Sequence, residues 1–451
     1  MSIKQSLAVL AGNSSKWLLE KLTNGGSSLP GKLAAKIDPD ILQNLASDYD
    51  VVLITGTNGK TVTTALTSKV LGQKFDHILT NATGSNMIQG ITSAFISDTK
   101  NKATGKKIAV LETDEAYLRL VTEQITPKLV LVNNLFKDQA DRYGSVASTY
   151  QLIQKGLAKV PETPVLINAD IPHLVNPNLS NPIFYFGFNS PDQSQDIQTA
   201  NSAEDLACPE CGQGLHYHMI AYDNVGDYFC PSCDFKRPQL DYQIDQIIQL
   251  SPDKSQFELF GQTINLPLAG IYNVYNALAA GAIGSFFQVT PDQIKMGLEQ
   301  VGHIFGRQEI IQVDDHLVKI NLIKNIVGFN QIVDLVGLEN DEFTLITVLN
   351  NNPSDGVDTA WIWDANFEAF KNMPIASYKL AGIAIEDLEK RLLASGIGPA
   401  AIERLNSPAA IVNAIKTAPT DKVYLLVTYT AMMEVRKELA DQGIIDDRMR
   451  A

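Results

Sequence analysis

Short apolar, β-branched runs alternate along this chain with stretches of helical periodicity. Val51 to Thr55 reads as a strand ending in a Gly-rich turn, and Thr61 to Leu71 reads as the helix that follows it. Ile108 to Leu111, Leu129 to Val132 and Val165 to Ile167 read as further strands, separated by helical patterns such as Tyr150 to Val160. Strands that alternate with helices predict an α/β fold with a parallel, doubly wound sheet, because parallel neighbours need a crossover long enough to hold a helix.

The rhythm breaks between about Pro191 and Pro238, where a polar Gln/Ser/Asp-rich segment leads into a cysteine cluster. It returns with Phe257 to Leu259 and the helix Val274 to Phe287. The break predicts an insertion over residues 191–240 inside a first domain of residues 1–303. After Phe305-Gly306-Arg307 a second series begins, with strands at Phe343 to Leu349, Ser377 to Leu380 and Val423 to Val427. Residues 304–451 are therefore expected to form a separate C-terminal α/β domain of ordinary size.

Composition narrows the function classes. At 451 residues, 45% hydrophobic and 19% charged, the chain has the balance of a folded soluble protein and the length for two or three cores. It has no apolar run of about 18 residues or more, and the N-terminal MSIKQSLAVLAGNSSKWLLEKL is a short amphipathic pattern without a secretory h-region. The expectation is a cytoplasmic protein without a transmembrane segment. Acidic residues outnumber basic ones 50 to 36, a net charge of −14, which opposes attraction to nucleic acid and to anionic lipid alike.

Gly56-Thr57-Asn58-Gly59-Lys60-Thr61 sits between the first strand and its helix. Glycines there let backbone N–H groups turn around phosphate oxygens while the helix N-terminus adds a favourable partial charge. Lys60 would then bind the β/γ-phosphates of ATP, and the Thr61 hydroxyl would ligate Mg²⁺. The common pattern has a glycine where Ile54 stands here.

All four cysteines fall within a short stretch, as Cys208-Pro-Glu-Cys211 and Cys230-Pro-Ser-Cys233. Two such knuckles can present four thiolates tetrahedrally to Zn²⁺, and four protein ligands leave no open position, so the expected ribbon is structural. His216 and His218 lie between the knuckles as minor candidates; a redox pair is the alternative for the cysteines.

Further motifs follow in order: Glu112 in ETDEA, Asn134 to Asp141 in NLFKDQAD, Asn168 to Asp170 in NAD, Gly270 to Asn276 in GIYNVYN, and Gly306-Arg307 in FGRQE. With G-T-N-G-K-T after a strand, this series resembles the Mur ligase family, which includes folylpolyglutamate synthases, over nearly the whole chain. The resemblance implies a central P-loop ATPase domain followed by a Rossmann-like C-terminal domain, and phosphorylation of a carboxylate to an acyl phosphate that an amine attacks. It makes Glu112 a Mg²⁺ carboxylate, Asn273 and Asn276 nucleotide-holding asparagines, and Arg307 a phosphate-contacting arginine at the hinge. The readings beside these are a satisfied strand-end acid, helix N-terminal caps and a surface arginine. Gln139 stands where amino-acid-adding members carry a histidine, and their carbamylated lysine has no counterpart that can be placed. Only some 55 residues precede the loop, so no separate UDP-gripping domain is expected before it.

The ribbon and the segment Asp355-Gly356-Val357-Asp358-Thr359-Ala360-Trp361-Ile362-Trp363-Asp364 resemble the amidating branch of the family. That branch converts the D-glutamate α-carboxylate of the lipid II stem peptide to D-isoglutamine for peptidoglycan synthesis, at the inner face of the membrane. Its implied partner is a GatD-type glutaminase, and Asp355 is implied to complete that partner's Cys-His pair. Asp358 and Asp364 are rival choices, and Asn-Pro-Ser-Asp-Gly also reads as an ordinary turn. Trp361 and Trp363 alternate in a strand-like way and read as interface residues, with core the alternative. The family's K-N-P-A-G stretch appears as Lys324-Asn325-Ile326-Val327-Gly328. An amino-acid-adding ligase and a non-catalytic ATP-binding scaffold are the alternative functions.

Overall fold

The computed structural model describes residues 2–445 except 23–27, 82–83, 102, 104, 138–144, 176–178, 191–193, 195, 199–206, 303 and 305. Gln139 lies outside the described residues. Two sheets carry the architecture, which is the α/β arrangement the sequence pattern predicts.

In the first sheet, β1 (Asp50–Thr55), β2 (His77–Thr80), β3 (Lys107–Glu112), β4 (Leu129–Val132), β5 (Val165–Asn168) and β6 (Ile183–Phe188) are all parallel, in the order β6-β5-β4-β1-β3-β2. β1, β3 and β4 are buried almost throughout, as their uninterrupted Val/Ile/Leu runs require of strands covered on both faces. The chain crosses from β1 to the β2 edge, returns through β3, and then passes to the other side of β1 at β4. The carboxyl end of β1 is therefore a topological switch point.

The sheet is mixed where a parallel one is expected. β10 (Tyr242–Leu250) pairs parallel to β6, but β11 (Ser255–Leu259) and β12 (Gln262–Leu266) continue from it as an antiparallel meander. Two tight turns decide this, one closed by Ser251 N donating to Lys254 O (3.0 Å), the other with Phe260 and Gly261 at φ +51° and +71°. Neither leaves room for a crossover helix. The expected helix at Tyr150 to Val160 is displaced to Val146–Leu157, where the Ser145 hydroxyl caps its first turn. At the N-terminus, the helices Ile3–Leu22 and Leu29–Ile37 pack on one another and on the helix Ile88–Asp98.

The cysteine segment forms a small antiparallel sheet of β7 (Ile197–Gln198), β8 (His216–Tyr222) and β9 (Val225–Phe229). Arg237 ties it to the main domain, donating to Asp170 Oδ1 (2.7 Å) and lying 3.0 Å from Asp227. Asp170 also accepts from Phe188 N (2.7 Å) and Tyr275 OH (2.6 Å). Burial raises the Asp170 carboxyl, and Arg237 opposes the rise. Removing one member of a buried pair strands the other charge, so Arg237→Ala should cost about 3–5 kcal/mol of stability. Thermal unfolding checks it; a midpoint equal to wild type would mean the network holds nothing.

The second sheet contains β13 (Arg307–Val313), β14 (His316–Leu322), β15 (Phe343–Val348), β16 (Ile375–Ala381), β17 (Ile402–Arg404) and β18 (Lys422–Val427), in the order β13-β14-β18-β15-β16-β17. Five are parallel, with β13 antiparallel at one edge. Its faces bury separate cores, one around Phe329, Phe367 and Phe370, the other around Ile411, Val435 and Leu439. Trp361 and Trp363 do not form a strand. They lie in the 3₁₀ turn Ala360–Trp363, where Trp361 packs against Phe329 (5.9 Å between ring centroids) and Trp363 is exposed beside Arg391. Buried Ile362 anchors that turn, which rotates its two neighbours to different environments.

Candidate active site between the two sheets

The turn after β1 is set by backbone conformations that only glycine adopts freely. Gly56 and Gly59 have φ of +134° and +79°. A Cβ on Gly59 would come within 2.3 Å of Asn276 Oδ1, so a side chain is excluded by space as well. Asparagines hold the turn in shape. Asn134 Oδ1 accepts from Asn58 N (2.7 Å) while its Nδ2 donates to Asn58 O (2.8 Å). Asn133 Nδ2 donates to Asn276 Oδ1 (3.0 Å), which also accepts from Thr63 Oγ1 (3.1 Å).

Asn273 and Asn276 lie within the helix Ile271–Phe286, whose N-cap is Gly270, so neither caps it. They are joined to each other (3.1 Å), and Asn276 supports the turn from behind. Asn133, which no motif marks, is signalled only by its position just after the buried strand β4, beside the loop.

The chemistry-bearing groups converge in front of the turn. Ile54 and Glu112 are register partners, which places Glu112 beside the phosphate loop. Thr61 Oγ1 donates to Glu112 Oε2 at 2.8 Å, and Asn81 clamps the Glu112 backbone through N–H and C=O bonds of 2.9 Å each. Lys60 Nζ donates to the Gly56 carbonyl and lies 3.4 Å from Glu115 Oε1. Burial pushes the Glu115 carboxyl up, and the Lys60 charge pulls it back down. Arg307 faces the same space; desolvation lowers its guanidinium, with Glu112 and Tyr272 acting the other way. Arg307 is half-buried and lines this space rather than the open surface.

Lys60, Thr61 and Glu112 line a cavity of about 260 Å³ whose far wall, Arg307 included, belongs to the second sheet. Lys324 and Asn325 follow the carboxyl end of β14, and Asn325 caps the helix Ile326–Val336 by accepting from Gly328 N (2.8 Å). Asn325 and Asn58 exchange amide bonds across the interface, 3.1 and 3.3 Å long. Gln308 adds a second link, donating to Ala269 O (2.7 Å) and accepting from Ala269 N (2.8 Å).

Asp355 also reaches this cavity, from the loop after β15. It is buried, and its carboxylate accepts from Thr430 N (2.7 Å), Thr430 Oγ1 (2.5 Å) and Asn352 N (3.2 Å). The bonds to Thr430 fasten the loop to the N-terminus of the helix Tyr429–Asp441. Asp358 and Asp364 are exposed, and Asp358 accepts from Ala360 N within its own turn (2.8 Å).

The four cysteine sulfurs lie within 4.8 Å of one another, a cluster that can hold a metal ion. Cys208 and Cys233 are 3.6 Å apart and Cys211 and Cys230 3.5 Å, against about 3.8 Å between thiolates around tetrahedral Zn²⁺. His216 bonds instead to Asp196 (2.7 Å), and His218 stacks on Phe229. The ribbon reaches the cavity through Tyr222 at the end of β8, whose ring stands edge-on to Tyr275.

Profiles of two known domains match the chain: the Mur ligase middle domain over residues 54–226 and the MurT ligase C-terminal domain over residues 322–432. A curated relative from Streptococcus pneumoniae, the MurT subunit of lipid II isoglutaminyl synthase (glutamine-hydrolyzing), is 40% identical over 449 residues, covering 100% of both chains. This chain belongs to the MurT family of Mur ligases. The Staphylococcus aureus MurT subunit is 34% identical over 84% of this chain and 85% of its own. Among solved structures, a pseudomurein peptide ligase type C from Methanothermus fervidus superposes with a TM-score of 0.64 at 19% identity, covering 94% of this chain and 85% of that one. MurF from Thermotoga maritima in complex with ADP gives 0.60 at 14%, with coverage of 92% and 85%. Both share the MurT-family fold seen here.

Proposed function

We propose that the chain is the ligase subunit that amidates the D-glutamate α-carboxylate of the lipid II stem peptide to D-isoglutamine, using ATP and ammonia released by a GatD-type glutaminase subunit. What carries the reading is the shared cavity: phosphate loop and acid on one wall, Arg307 and the strand-end groups of the second sheet on the other. The full-length likeness to a MurT subunit supplies the substrate class.

The backbone of residues 56–61, Lys60 and Arg307 hold the triphosphate, with Asn273 and Asn276 stiffening the loop that does so. The Thr61 hydroxyl and Glu112 carboxylate, already in contact, are a hard-oxygen pair suited to Mg²⁺. Mg²⁺ bound there offsets the phosphate charge. A carboxylate oxygen of the substrate takes the γ-phosphoryl group and ADP departs. Ammonia then attacks the carbonyl carbon; the C–N bond forms, the C–O bond to phosphate breaks, and nitrogen loses a proton. Lys60 and Arg307 face the oxygens on which charge builds. Asp355 serves the glutaminase by fixing its catalytic histidine. The complex works at the cytoplasmic face of the membrane.

ADP release tests the assignment: lipid II with ammonium should stimulate it, folate with glutamate should not. Stimulation by the second pair alone would make the chain an amino-acid-adding ligase, and no turnover with any acceptor, even beside the glutaminase, would make it a scaffold.

The cysteine cluster holds a structural Zn²⁺. Stripping it with a chelator should lower the thermal midpoint and raise the KM for ATP several-fold, because Tyr222 loses its support. One Zn²⁺ per chain by elemental analysis is the expected content; a metal-free protein with unchanged KM would reject the site.

A further inference from the structure

The helix Ile3–Leu22 is built inside out. Its small residues Ala8 and Gly12 face inward, with Gly12 so close to Ile96 that an added Cβ would lie 3.0 Å from it. Its large apolar residues face outward: Ile3 is 83% exposed, Leu7 54%, Leu10 64%, Trp17 56% and Leu18 50%. A surface helix normally buries the large apolar stripe, and a contiguous exposed one marks a contact surface. Leu29 and Ile37 of the adjacent helix Leu29–Ile37 are also partly exposed.

Charge on this cap runs against that of the whole chain. Residues 1–37 contain five lysines and one acidic residue, while the net charge of the protein is −14. Lys4, Lys32 and Lys36 are exposed, and Lys4 lies 3.7 Å from Asp38. Exposed Lys100 joins Trp17 and Leu18 around a shallow hollow.

We infer that the outer face of the helix Ile3–Leu22 docks on an anionic lipid bilayer and holds the enzyme there. Twenty residues give a rod about 30 Å long with a large apolar outer face, suited to lying in the headgroup plane with those side chains among the acyl chains. Lysines beside it meet anionic headgroups, an attraction that Asp38 weakens at Lys4 but that Lys32, Lys36 and Lys100 retain. The inference rests on the lipid-linked substrate proposed above and adds how the enzyme reaches it.

Flotation of the full chain, in complex with its glutaminase, with vesicles of phosphatidylcholine containing about 30% phosphatidylglycerol tests it. Wild type should float with these vesicles, less with pure phosphatidylcholine, and less again at high salt. The triple variant Leu7→Gln, Leu10→Gln, Trp17→Gln should bind at least roughly tenfold more weakly. Brominated lipid should quench tryptophan fluorescence in wild type and far less in Trp17→Phe, a readout that does not depend on the triple variant folding. With vesicle-embedded substrate the triple variant should show a raised KM, and with a short-chain, water-soluble analogue an unchanged rate.

Wild type that stays in the aqueous phase, or a variant that floats equally well, overturns the docking face. So does a lipid-free wild-type complex that sediments at twice the mass of the variant's, which would assign the stripe to a second copy. Loss of amidation of the soluble analogue by wild type would instead refute the proposed function.

Discussion

Lys60→Ala is expected to lower amidation roughly a thousandfold or more, equally whether nitrogen comes from glutamine or from added ammonium. The side chain lines the cavity, in contact with the Gly56 carbonyl and 3.4 Å from Glu115, and on the proposed reading it holds the transferred phosphate. Without it no acyl phosphate forms, so the nitrogen source is irrelevant. The variant should remain folded. Burial already pushes the Glu115 carboxyl up, and losing the Lys60 charge that pulls it down favours its neutral form further, which avoids a bare buried charge. Initial rates of isoglutamine formation with each nitrogen source, beside a thermal melt, provide the check. Ammonium-driven activity near wild type would remove phosphoryl transfer from this loop.

Asp355→Ala should separate the two nitrogen sources: glutamine-driven amidation falls at least roughly a hundredfold, and ammonium-driven amidation stays within about threefold. The triad reading alone predicts that split, but the structure adds a cost. Asp355 accepts three hydrogen bonds within its own chain, two of them at the start of the helix Tyr429–Asp441, so the variant should also lose about 1–2 kcal/mol of stability. Asp358→Ala, at an exposed turn, should change neither activity by more than about threefold. Equal loss of both activities in Asp355→Ala would reduce the residue to a helix anchor. A split produced by Asp358→Ala instead would move the role to that neighbour.

The sheet strands were legible because their burial leaves a direct trace: Leu129–Val132 appears with the bounds its apolar run predicts, and β1 and β3 differ by a residue or two. Strands that miss this signature escaped notice. β6 is only half-buried over Ile183–Tyr185, and the hairpin β13–β14 carries charged and polar residues among its apolar ones. Trp361 and Trp363 show the opposite error, since alternation over so few residues fits a 3₁₀ turn as well as a strand.

For the site, sequence by itself determined the groups that local geometry holds together. A strand, a Gly-rich turn and a helix dictate where residues 56–61 point, and paired C-x2-C knuckles dictate a four-sulfur cluster, because short segments allow few other arrangements. Tertiary structure alone decided what meets across long separations: Glu112 against Thr61, Asn276 behind Gly59, Asn325 against Asn58, and Asp355 locked to Thr430 rather than projecting freely. Those contacts depend on strand order and on how two sheets face one another, and a one-dimensional pattern of apolar residues specifies which faces are buried but not which neighbours they acquire.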